Sequence, residues 1–114
     1  MKIEILRGFW MGTRKSIYSK HFIKIFQINK IINLQINNQI NSAYVKYVCN
    51  HIHDIRIKFD NIAIIINTKS FSIIIGYLII YGKMKYLHAK KALESKYGKI
   101  IFLHDYEKKL LNNL

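Results

Sequence analysis

The chain of 114 residues contains no proline, one cysteine and only six acidic residues. Each shortage narrows what the protein is. With Cys49 alone, no disulfide can form within the chain, and a reducing, intracellular (cytoplasmic) setting is expected. Against the six acidic residues stand 19 lysines and arginines, a formal net charge of +13. Such a field favours phosphate-bearing partners: nucleic acid, phosphoprotein or an anionic membrane surface. Over-use of Ile, Lys, Asn and Tyr together, with Pro missing, is also what drift toward AT-rich codons leaves behind. Internal repeats and Ser/Gly linkers are absent, so residues 1–114 read as a single domain with one modest core. The opening MKIEILRGFW has a charge inside its first apolar run and no small-residue cleavage site, unlike a signal peptide.

What the chain has in quantity is apolar sequence, 51% of residues against 22% charged, a globular balance. Its longest such run is Asn61 to Tyr81, interrupted by the polar knot Asn67-Thr68-Lys69-Ser70. A membrane span needs about 20 apolar residues, and a lysine at its centre costs about 2.5–3.5 kcal/mol. The two apolar halves are better read as core elements, a strand over Ile64–Asn67 and a helix over Ser70–Tyr81, and no membrane span is expected.

The remaining chain alternates strand and helix signals. Ile3–Gly12 reads as a short strand ending in a turn. Ser16–Gln27 carries Ile17, Phe22, Ile25 and Phe26 at helical spacing, with Ser16 or Ser19 as N-cap. Asn29–Ile36 reads as a buried strand, Asn37–Ser42 as a loop, and Ala43–Ile52 as a second strand. Lys85–Tyr97 is a helix stopped by Gly98, and Asp105–Leu114 a final amphipathic helix. The order implies an α/β fold, a small central sheet flanked by helices.

These residues, in their spacing, resemble the dual-specificity branch of the cysteine-dependent protein tyrosine phosphatases. Ile5, Gly8, Phe9, Trp10, Met11 and Gly12 stand as in the opening of those domains, followed in register by Ile28, Ile31 and Ile32-Asn33-Leu34. Tyr47, Ile52 and Asp54 then match the strand and loop that carry the family's general acid. Tyr77-Leu78, Met84, Ala89, Tyr106 and Lys109-Leu110-Leu111 continue the likeness to the C-terminus. The resemblance covers most of residues 5–56 and 70–111 and implies a shortened dual-specificity-phosphatase-like domain.

The departure from the family lies between those two stretches. An active member follows its core strand with His-Cys-x-x-Gly-x-x-Arg-Ser, whose thiolate attacks phosphorus while loop N–H groups and the Arg hold the oxygens. Here Ile64-Ile65-Ile66-Asn67-Thr68-Lys69-Ser70 stands instead, with no cysteine, glycine or arginine. Lys69 and Ser70 fall where Arg and Ser would be. They are candidates for a residual anion site, although a lysine cannot make the planar two-pronged contact of an arginine. The segment around residues 55–70 is also too short for the family's intervening helix, so the domain reads as truncated in its middle. Asp54 becomes a relic of the general acid, and Cys49, on a strand remote from a helix N-terminus, an inert core thiol.

Cys49, His51, His53 and Asp54 are all metal-ligand types, but His21, His88 and His104 are scattered singly and complete no tetrahedral set, so neither metal nor cofactor is expected. The resulting expectation is a catalytically inactive pseudophosphatase that binds phosphoprotein or another protein partner. A small basic nucleic-acid-binding protein is the alternative, its basic and aromatic residues supplying phosphate contacts and stacking. A phosphatase of the family's protein-tyrosine and serine/threonine activity and a decayed gene product stand behind these two.

Overall fold

A computed structural model describes all of residues 1–114. Lys2–Leu6 (β1) and Phe9–Gly12 (β2) pair as an antiparallel hairpin. The single strand expected over Ile3–Gly12 is therefore two. The chain reverses at Arg7–Gly8, where Gly8 has φ of 76° and a Cβ would stand 2.3 Å from the Asp60 carbonyl oxygen. Only glycine meets both conditions. The helix expected over Ser16–Gln27 is also two, Arg14–Ile17 (α1) and Lys20–Ile25 (α2). Thr13 and Ser19 each start one of them, their hydroxyls accepting the N–H of Ser16 and Phe22.

Lys30–Asn33 (β3) is shorter than expected and lies at the sheet edge rather than buried within it. The larger correction follows. Ser42–Lys58 is a 17-residue helix (α3), not the strand expected over Ala43–Ile52. Asn41 caps it by accepting the Tyr44 N–H at 2.8 Å. Val45, Cys49 and Ile52 recur four and then three residues apart and are buried, which is helical and not strand periodicity. A helix thus stands between β3 and β4, ahead of the segment around residues 55–70. The strand and acid loop expected before Asp54 are not formed: residues 34–41 lead from β3 straight into α3.

Ile62–Ile65 (β4) and Ser70–Ile80 (α4) realise the central run as strand, turn and helix, the strand lying two residues earlier than the expected Ile64–Asn67. Tyr86–Tyr97 (α5) ends at Gly98 in the left-handed conformation, φ 81°, and Asp105–Asn112 (α6) closes the chain. The sheet order is β1-β2-β4-β3, with β4 parallel to both of its neighbours. All four β4 residues are buried because both faces of the strand are covered. Ala63 and Ile65 pack with Ile17 and Phe22 of α1 and α2. Ile62 and Ile64 belong to the larger core, with Cys49, Ile73, Tyr77 and Leu93 from α3, α4 and α5. The central helix α4 is apolar all round and buried from Ser70 to Leu78, which is what a helix inside a domain requires. No helix is long and apolar enough to cross a membrane. The architecture is α/β, a small sheet between two helical layers.

Candidate functional site

In a sheet of this kind, chemistry gathers at the carboxyl ends of the central strands, where a helix N-terminus faces the turn. Here that place is Ile66–Lys69, joining β4 to α4. The turn is stitched to the chain leaving β3 by four hydrogen bonds. Asn67 donates from Nδ2 to the Ile36 carbonyl at 2.8 Å and accepts the Ile36 N–H on Oδ1 at 3.2 Å. Ser70 donates its hydroxyl to the Leu34 carbonyl at 2.5 Å. Lys69 donates from Nζ to the Asn37 carbonyl at 3.1 Å.

These bonds separate the two residues expected to form an anion site. Ser70 is completely buried, and its oxygen also accepts the Asn67 N–H at 3.0 Å, so its hydroxyl pins the turn. Lys69 is half-exposed and keeps a charge at the surface beside the first turn of α4. Lys69 ends the turn and Ser70 begins α4, while Leu34–Asn37, which sequence did not mark, enter the site mainly through backbone carbonyls and have no side-chain signature.

Asp54 and Cys49 lie elsewhere. Asp54 is exposed on helix α3, not in a loop, which corrects its expected placement. Desolvation first, and then the Asp54 carboxylate, raise the hydroxyl pKa of Tyr81, the residue that ends α4. Tyr81 is eleven residues beyond Ser70, about 16 Å along a helix axis, so Asp54 attends the end of α4 remote from the turn. Cys49 is fully buried, with Sγ 3.4 Å from the Ile73 carbonyl. Burial pushes its thiol up to about 12, and the neutral form dominates at physiological pH. His53, one helical turn beyond Cys49, is engaged with Tyr77, Nδ1 to hydroxyl at 3.0 Å, and stacks on Tyr81 at 4.0 Å. No three His, Cys, Asp or Glu side chains stand close enough together to hold a metal ion.

One groove adjoins the turn. Thr68, Lys69 and Phe71 form one wall, and Tyr97, Ile100 and Phe102 the other, around a volume of about 440 Å³. Glu107 lies at its base with both carboxylate oxygens engaged, by the Ser72 hydroxyl and by the His104 N–H.

No protein-family model matches the chain, and no curated protein matches it. Solved structures do. The fold is similar to that of a leucine rich repeat and phosphatase domain containing protein from Entamoeba histolytica, at 15% identity and a TM-score of 0.77, over 98% of this chain and 90% of that one. It is similar to human DUSP28 at 7% identity and 0.77, over 98% and 90%. The human tyrosine phosphatase-like serine/threonine/tyrosine-interacting protein matches at 15% and 0.77, over 98% and 93%. The chain therefore has the fold of the dual-specificity phosphatases.

Proposed function

We propose that this chain is a catalytically inactive protein of dual-specificity-phosphatase fold that works by binding a phosphoprotein or another protein partner. The observation that carries the reading is the β4–α4 turn itself. Where that fold would need a thiolate facing free N–H groups, the chain has Asn67 and Ser70 with their side chains consumed by Ile36 and Leu34. The only thiol is held neutral within α3. Charge is retained at the turn without a nucleophile, through Lys69 and the positive end of α4. Ser70 is committed to the Leu34 carbonyl, so the anion contact falls to Lys69.

Calorimetric titration with a phosphotyrosyl peptide tests the binding half. The expected result is saturable binding that weakens about tenfold in Lys69→Ala, the loss of one charge-assisted contact of about 1.4 kcal/mol. Affinity unchanged in Lys69→Ala would remove the turn from the reading. The charge of +13 supports nucleic-acid binding as the second reading. It requires an oligonucleotide affinity that falls steeply with salt, and absence of binding at low salt would eliminate it.

A further inference from the structure

Between α5 and α6 the side chains alternate: Ile101 and Leu103 are 3% and 2% exposed, whereas Ile100 and Phe102 are 87% and 79% exposed. Two large apolar side chains standing in water side by side call for a cover. The Ile101 N–H is tied inward to Glu94 Oε2 at 2.7 Å. The N–H and C=O groups of Ile100 and Phe102 make no hydrogen bond within the chain. Residues 100–102 thus leave main-chain donors and acceptors unpaired beside two exposed apolar side chains, as the edge of a sheet does. The inward side is anchored: the Lys90 ammonium and the Ile101 N–H hold the Glu94 carboxyl below the usual carboxylate range.

The charges around this edge have one dominant sign. Lys69 lines the groove. Lys99 lies over the Tyr97 ring at 5.8 Å. The groove's carboxylate, Glu107, is buried and consumed, and Asp105 beyond the groove pairs at 4.0 Å with Lys108. Five of the nine lining residues are hydrophobic, and a free main-chain edge pairs with a polypeptide, not with a sugar-phosphate backbone.

We propose that this groove is a docking site for an extended acidic segment of a partner protein. The segment adds as a strand along Ile100–Phe102 and seats an apolar side chain between Phe102, Tyr97 and Phe71. Its carboxylates or phosphates meet Lys69 and Lys99. A second copy of this chain is disfavoured, because two surfaces of +13 repel. The inference rests on the reading that the protein works by binding, and names the partner's chemistry.

The test is fluorescence anisotropy with the labelled hexapeptide Asp-Glu-Phe-Asp-Ile-Glu against the full chain. Binding is expected, weakened at least tenfold in Phe102→Ser and in Ile100→Ser, and weakened severalfold in Lys99→Glu. Both apolar residues are exposed, so these variants keep the fold, which circular dichroism verifies. A peptide with Ala in place of Phe and Ile loses binding, as does one with Asn and Gln in place of its acids. Failure of the parent peptide to bind, or equal binding by Phe102→Ser, overturns the proposal, as does displacement of the peptide by a single-stranded oligonucleotide that binds more tightly. Hydrolysis of an aryl phosphate, measured separately, bears on catalytic inactivity alone, so the two failures are distinguishable.

Discussion

Cys49 shows how position decides chemistry at the scale of one residue. The fold uses a cysteine as nucleophile only where a helix terminus and neighbouring cations lower its pKa, and this one is packed against Ile73 with its pKa pushed up to about 12. Iodoacetamide is therefore expected to label native protein negligibly at pH 8 and denatured protein completely, as read by intact mass. The same shift has a signed consequence for stability. A thiol with an ordinary value of 9.0 in the unfolded chain and about 12 in the folded one adds its full contribution below pH 9. That contribution is lost as pH rises from there through about 12, by at most about 1.4 kcal/mol per pH unit. Denaturant midpoints taken across that range fall less in Cys49→Ala than in the wild type. Equal slopes would mean that the thiol does not titrate with unfolding.

Between elements, α3 crosses α4 closely enough for glycine to matter. A Cβ on Gly76 would lie 2.8 Å from Val45 Cγ1 and 3.7 Å from Cys49 Sγ. Gly76→Ala gains about 1 kcal/mol of helix propensity, but forcing a methyl into a packed contact costs about 1–3 kcal/mol. The expected outcome is a lower melting temperature, which Val45→Ala in the same chain partly restores. The contact between α5 and the Ile100–Phe102 edge depends on Glu94, which bonds both Lys90 and the Ile101 N–H. Glu94→Ala is expected to cost about 1–2 kcal/mol and to speed hydrogen exchange at Ile101, whereas Glu94→Gln retains the amide bond. Because the carboxyl pKa is lowered in the fold, this contribution is complete above the ordinary carboxylate range and fades as pH falls through the lowered value.

Legibility also divides by element. The helix over Lys85–Tyr97 and its stop at Gly98 were readable because apolar spacing and a left-handed glycine agree. The central run was readable because a polar knot splits it into a strand-length and a helix-length half. The helix α3 was not, because Tyr44, Val45, Tyr47, Val48 and Ile52 are strand formers by propensity. Its apolar period and its Asn41 cap outweigh that preference once α4 offers a face to cover. That misreading placed Asp54 in an acid loop that the chain lacks. In the turn, Asn67–Ser70 could be located from sequence, but the carbonyls of Leu34, Ile36 and Asn37 that close it could not. Backbone acceptors are common to every residue.

At the scale of the whole molecule, residues 34–41 run directly from β3 into α3, β3 is the sheet edge, and Leu34–Asn37 bond the β4–α4 turn. The turn closes with Asn67 and Ser70 turned inward, and the molecule carries a net charge of +13 and the exposed Ile100 and Phe102. The central claim is that this arrangement binds without catalysing. Steady-state hydrolysis of p-nitrophenyl phosphate by the purified chain tests it most directly, alongside Cys49→Ser. Release of nitrophenolate is expected to stay at the uncatalysed rate for both proteins between pH 5 and 8. Turnover by the wild type that disappears in Cys49→Ser would contradict it.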